Sequence, residues 1–137
     1  MSNEIETQKH WSVLLVEDNL VNQQITINQL KIMNCDVLLA KNGLEAIKAT
    51  QEQNFDLIIM DCHMPEMNGY DATRQIREGE IEQNKEPVPI IALTADVMIL
   101  NREHCLSVGM NDFLGKPVVL NDLKQILDIW LRNPASS

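Results

Sequence analysis

Three carboxylates, Glu17, Asp18 and Asp61, stand where apolar runs stop, and the pair Lys116-Pro117 closes another such run. The runs at 12–16, 57–60, 90–93 and 112–114 read as short strands of one buried parallel sheet. On that reading Glu17, Asp18, Asp61, Thr94 and Lys116 share one edge, where strands hand over to loops. Acids gathered there repel one another by several kcal/mol, on the order given by Coulomb's law, unless a cation joins them. A hard, oxygen-rich site of this kind suits Mg2+, which takes a few carboxylates and completes its shell with water and phosphate oxygens. A carboxylate can also be the nucleophile, giving an aspartyl phosphate. Asp61 would then attack, Lys116 would supply a point charge, and the Thr94 hydroxyl would supply a hydrogen bond to another phosphoryl oxygen.

Each residue alone also has a plainer reading. An Asp at a strand end is a common turn former, and Glu17-Asp18 before Asn19 could merely cap a helix. Thr94 could close a strand ahead of a cap at Asp96, and Lys116-Pro117 could be a solvated loop with an extended residue before proline. What favours chemistry is convergence, because four separate strand ends carry complementary groups.

The elements that must position these groups follow in order. A strand at 13–16 leads into a helix at 20–33 capped by Asn19, with Val21, Ile25, Leu30 and Met33 as its apolar stripe, broadened by Ile27 and Ile32. A second strand at 36–40, a turn at Asn42-Gly43 and a helix at 44–53 come next. The third strand spans 55–60 and ends at Asp61; a loop marked by Pro65 and Gly69 then opens a helix at 70–78. Residues 79–87 read as a polar loop, 88–93 as the fourth strand and 96–107 as the fourth helix. The fifth strand is 112–114 and the last helix 121–131, with Leu120, Leu123, Ile126, Leu127, Trp130 and Leu131 on one face. Alternating strands and helices imply right-handed crossovers and an α/β, doubly wound, five-stranded parallel sheet with five helices. In the order 2-1-3-4-5 its ligand crevice lies between strands one and three, whose ends carry Glu17-Asp18 and Asp61.

Bulk properties narrow the function. A chain of 137 residues with 45% hydrophobic residues makes one domain, and 4% aromatics make its core aliphatic. A net charge of −9 argues against holding a nucleic-acid backbone and favours a basic protein partner. Cys35, Cys62 and Cys105 are unpaired by spacing and read as buried or semi-buried thiols in a reducing cytoplasm. Residues 1–10 are polar, a linker or added lead without a signal-peptide core, and 133–137 form a short tail around a domain at 11–132. No apolar run reaches the roughly 18 residues of a membrane span, so direct membrane contact is not expected, though a parent chain could be tethered.

The strings Leu15-Val16-Glu17-Asp18-Asn19, Met60-Asp61-Cys62-His63-Met64-Pro65-Glu66-Met67-Asn68-Gly69, Ile91-Ala92-Leu93-Thr94-Ala95 and Lys116-Pro117 resemble the receiver domain of two-component response regulators, over nearly all of 11–131. Their wording is most similar to receivers attached to hybrid sensor histidine kinases. The resemblance implies a flavodoxin-like fold and a phosphorelay role, with Asp61 accepting a phosphoryl group from a phosphohistidine of a histidine kinase or histidine phosphotransfer domain. It implies Mg2+ on Asp18, Asp61 and the backbone carbonyl of His63, with Glu17 acting through water. It also implies Thr94 and Lys116 at the phosphoryl group, a switch made of Thr94 and Phe113, and a cis Lys116-Pro117 bond. His63 and Asp96 stand at the positions that tune dephosphorylation. Such a domain is a phosphoryl acceptor that catalyses its own phosphorylation and slow dephosphorylation rather than an enzyme acting on other substrates.

Some features keep a plain reading. His63 beside Cys62 lacks a second pair at zinc-ligand spacing, His104 and Cys105 read as surface and core, and seven Met residues read as core filling. Met98-Ile99-Leu100 is too apolar for one buried stripe, which suggests a partner or homodimer contact through the fourth helix, fifth strand and fifth helix. Output is expected through another chain or a parent protein. Two rivals are a hydrolase with an aspartyl-phosphate intermediate and a receiver that works without phosphorylation. The first would ordinarily carry a general-acid Asp where His63 stands.

Overall fold

The computed structural model describes residues 10–64, 67–95 and 102–131. The strands are β1 (Trp11–Val16), β2 (Cys35–Ala40), β3 (Leu57–Asp61), β4 (Ile90–Thr94) and β5 (Asp112–Gly115). The helices are α1 (Leu20–Ile32), α2 (Gly43–Glu52), α3 (Gly69–Gln83), α4 (Arg102–Val108) and α5 (Leu120–Trp130). The sheet is parallel throughout in the order β2-β1-β3-β4-β5, the doubly wound arrangement the alternation predicts.

Every residue of β3 and β4 is buried, because helices cover both faces of the sheet. Leu14, Ile58, Met60, Ile90 and Ala92 pack in the layer that holds Ala46, Ala72, Ile76 and Cys105. Val13, Leu15, Leu57, Ile59, Ile91 and Leu93 pack in the layer of Leu30, Leu123, Ile126 and Leu127. A fully buried Leu or Ile contributes about 1.5–3 kcal/mol, so these two aliphatic layers are what fix the strand ends in place.

Three helices that leave the functional edge, α1, α2 and α3, begin on asparagine caps, whereas α5 starts from Val119 without a side-chain cap. Asn19 accepts from the Asn22 N–H at 3.0 Å, Asn42 from Glu45 at 2.9 Å and Asn68 from Asp71 at 2.9 Å. Each cap satisfies one amide of a first turn that has no intrahelical partner.

Several boundaries differ from the sequence expectation for identifiable reasons. α3 runs on to Gln83, through the stretch read as a loop from residue 79. Its buried stripe continues from Ile76 to Glu80, a charged residue that apolar periodicity skips. Glu80 is buried because Arg77 Nη1 donates to its Oε1 and Oε2 at 2.8 and 3.0 Å and the Val88 N–H donates to Oε2 at 2.8 Å. The helix stops at Asn84, whose φ of 58° is left-handed.

In α1 the buried residues are Gln23, Thr26 and Leu30, while Val21 and Ile32 of the expected stripe are 66% and 68% exposed. β4 starts at Ile90 rather than 88, since Pro89 has no N–H to give a ladder. β3 and β5 each run one residue further, to Asp61 and Gly115. Asp96 and Met98-Ile99-Leu100 lie outside the described residues, as does the expected start of the fourth helix. No helix among the described residues is long and apolar enough to cross a membrane.

Candidate functional site

The strand ends bring Glu17, Asp18 and Asp61 together: one carboxylate oxygen from each lies within 4.8 Å of the others. β1 delivers the first pair. The Glu17 N–H donates to Ala40 O at 3.1 Å, which prolongs the β1–β2 ladder and leaves Asp18 as the first exposed residue. β3 delivers Asp61 as its last residue, fully buried.

Asp61 Oδ1 accepts from the His63 N–H at 3.1 Å, and Oδ2 accepts from Lys116 Nζ at 3.0 Å. The same Nζ lies 3.7 Å from Glu17 Oε1. Glu17 Oε2 accepts from the Asn19 N–H at 3.1 Å, whereas among the described residues Oε1 accepts no hydrogen bond although it is buried. A buried acceptor without a donor is costly, and it marks where a cation fits.

Burial is the main cause that pushes Glu17 up to about 7, with the neighbouring Asp61 charge adding to it; the Asn19 amide and Lys116 pull the other way. Burial works against the charge on Lys116, but its bond to Asp61 and the charges of Asp61, Glu17 and Asp18 prevail and raise its pKa. The site therefore holds a firmly protonated cation and an excess of carboxylate, the balance that a divalent ion would redress.

β4 brings Thr94, buried, into register with Gly115 of β5, and the Lys116 N–H donates to Thr94 O at 2.8 Å. The Lys116-Pro117 peptide is cis. Phe113 is half-buried on the sheet face of Ala92, its register partner. His63 is exposed at the rim. Asp96 is the one candidate residue outside the described set.

Two supports escaped residue-by-residue reading. Gln23 Nε2 donates to Glu17 O at 2.8 Å, so a polar side chain occupies the inner face of α1 and braces the acidic turn. Its signal was a polar residue in phase with Leu30 and Thr26. Gly69 packs so close to the end of β3 that a Cβ would overlap the Asp61 carbonyl oxygen. The glycine lets α3 start directly behind Asp61.

Beside the site, burial pushes the Cys62 thiol up to about 11 and raises Cys105 as well, against the smaller opposing pull of the nearby Tyr70. These are protonated core thiols, and all three cysteines are buried.

The profile of the response regulator receiver domain matches residues 13–128. Hybrid signal transduction histidine kinase E of Dictyostelium discoideum is 40% identical over 120 residues, which are 87% of this chain and 7% of that protein; the chain thus spans a small part of its relative. The receiver domain of sensor histidine kinase PA1611 from Pseudomonas aeruginosa, with a magnesium ion coordinated in its active site cleft, superposes with a TM-score of 0.81 at 42% identity, covering 91% of this chain and all of the other. A chain from the co-crystal structure of the Saccharomyces cerevisiae phosphotransfer protein Ypd1 with the receiver domain of Ssk1 gives 0.82 at 37% identity, covering 88% of each.

Proposed function

Because the chain belongs to the response regulator receiver domains, we propose that it accepts a phosphoryl group on Asp61 from a phosphohistidine of a histidine kinase or histidine phosphotransfer domain. The observation that carries this reading is the set of three carboxylates within 4.8 Å of one another, with Lys116 bonded to Asp61 Oδ2 at 3.0 Å. In the reaction the P–N bond of the donor breaks, an oxygen of Asp61 forms the new P–O bond, and the imidazole leaves with a proton. Asp18, Asp61 and the His63 carbonyl would hold Mg2+, with Glu17 behind them. The bound ion would neutralise phosphoryl oxygens as the bond transfers. The residues fit that ion through their hard donors and through the buried Glu17 Oε1, which accepts no hydrogen bond among the described residues.

The remaining steps belong to the chain itself. Lys116, already on Asp61, moves its bonds to a phosphoryl oxygen, and the Thr94 hydroxyl turns to another. About −1.5 to −2 of new charge at the site draws both inward. Phe113 follows Thr94, and the face of α4, β5 and α5 changes. His63 and Asp96 set the access of water and hence the phosphate lifetime. The magnesium in the Pseudomonas aeruginosa relative and the phosphotransfer protein beside Ssk1 support this reading. The parent is then a hybrid histidine kinase or a stand-alone regulator, cytoplasmic in either case, with output through protein contacts including a homodimer.

The test is incubation with a small-molecule phosphoryl donor and Mg2+, read by intact mass. The expected result is one hydroxylamine-labile phosphoryl group on the wild type, none on Asp61→Asn, and none with chelator. Full labelling of Asp61→Asn would overturn the assignment, and steady turnover of a phosphomonoester would favour the hydrolase rival.

A further inference from the structure

The described part of α4 is fastened at three places. Its carboxyl end is tied to α3: Arg77 Nε and Nη2 donate to Gly109 O at 3.0 and 2.7 Å, and Nη2 also donates to Asn111 Oδ1 at 2.9 Å. In its middle Cys105 is buried and the His104 ring meets Tyr70 edge-on at 4.5 Å between centroids. At its amino end the Arg102 guanidinium lies 4.5 Å over the Phe113 ring. Arg102 is exposed and Phe113 half-buried, so this last contact is the one most open to exchange.

Phe113 is also the ring nearest in register to the site. Its partner on β4 is Ala92, and Gly115, next on the same face, partners Thr94. A methyl and a hydrogen are thus the side chains flanking the path from the ring toward Thr94. The ring thus stands between a cation on α4 and the flank of the sheet that leads to Thr94.

We propose that Arg102 is a positioning residue that latches Phe113 and the start of α4 in the arrangement preceding phosphorylation. A cation over an aromatic face is attracted by its quadrupole, and a ring that turns toward Thr94 gives that attraction up. The contact therefore weighs against activation, and the carboxyl end of α4, held by Arg77, acts as the pivot. This rests on the receiver reading above and adds the restraint that sets its switching equilibrium.

The sign of the effect separates a latch from simple electrostatics. Loss of a positive charge near an anion site weakens anion binding, whereas loss of a latch tightens it. Beryllofluoride with Mg2+, which stands in for the phosphoryl group on a carboxylate, is titrated into the full chain. Arg102→Met is expected to bind about two- to fivefold more tightly than wild type, the range an exposed cation–π contact provides. Arg102→Lys, which can still place a cation on the ring, is expected to stay within about twofold of wild type. In a Phe113→Leu background, Arg102→Met is expected to change nothing further. Equal or weaker binding by Arg102→Met while wild type binds normally overturns the latch alone. A wild type that takes up no beryllofluoride in Mg2+ overturns the receiver reading and the latch with it.

Discussion

Glu17 carries the pH dependence of the site. Its carboxyl is raised from 4.5 to about 7 by burial, so the folded chain holds that proton more tightly than the unfolded chain. The stabilisation is complete below pH 4.5 and is lost as pH rises through 7. Between pH 5.5 and 8 the metal-free wild type should therefore lose on the order of 2 kcal/mol relative to Glu17→Gln. Urea unfolding at the two pH values checks this, and saturating Mg2+ should shrink the difference. Lys116→Ala should act in the opposite sense. With Asp61 Oδ2 and Glu17 Oε1 both buried near the missing ammonium, the variant should lose about 2–4 kcal/mol without metal and recover part of it with Mg2+. Glu17, Asp18, Asp61, Thr94 and Lys116 were legible in the sequence, because each is an acid, hydroxyl or cation at the close of an apolar run, whereas His63, Phe113 and Asp96 came only from the family resemblance. The wiring between them was not, because the Lys116–Asp61 bond spans 55 positions of sequence and only the sheet order brings it about.

At the scale of elements, α3 makes the sharpest contrast. Gly69 and Gly79 lie in one helix, yet a Cβ at 69 would overlap the Asp61 carbonyl while one at 79 meets nothing within 4 Å. Gly69→Ala is expected to cost about 1–3 kcal/mol and to weaken Mg2+ binding, since either β3 or α3 must shift. Gly79→Ala is expected to gain about 0.5–1 kcal/mol, the ordinary benefit of removing glycine from a helix interior. Thermal melts and a Mg2+ titration of both variants decide it. The same helix shows why the sequence reading stopped short at residue 78. A glycine followed by Glu80 looks like the end of an amphipathic pattern until Arg77 and the Val88 amide are seen to neutralise that carboxylate. α1 misled in the mirror-image way: its apolar Val21 and Ile32 face outward and its polar Gln23 and Thr26 face inward. Periodicity fails wherever a polar side chain has a buried partner, as Gln23 has at the functional edge and Glu80 at the opposite pole.

For the molecule as a whole, the candidate site lies at the carboxyl ends of the strands, whereas Trp11 opens β1 and Trp130 bonds to the residue that opens β5. Trp11 and Trp130 both pack with the α1 and α5 layer, and Trp130 Nε1 donates to Asp112 Oδ2 at 3.0 Å. Mg2+ should therefore raise the melting temperature through linkage while leaving native tryptophan emission nearly unchanged. A large emission change on metal addition, with no shift in melting temperature, would contradict that layout. The strand order and both layers followed from alternation and from near-continuous apolar strands.

The sheet register has one more consequence, which concerns how this chain tolerates changes in length. Asp61 is held in row with Leu93, and Val16 with Met60, by unbroken parallel ladders. Adding or removing a single residue inside β3 would turn every later side chain of that strand to the opposite face and carry Asp61 out of its crevice. The turn between α3 and β4 carries no such burden, with Glu86 and Pro87 exposed at the pole away from the carboxylates. A short peptide spliced between those two residues should leave Asp61 phosphorylation intact, while one extra residue after Ile58 should abolish it. Insertions and fusions therefore have one accommodating pole, and at the other the chemistry can change only by exchanging one side chain for another.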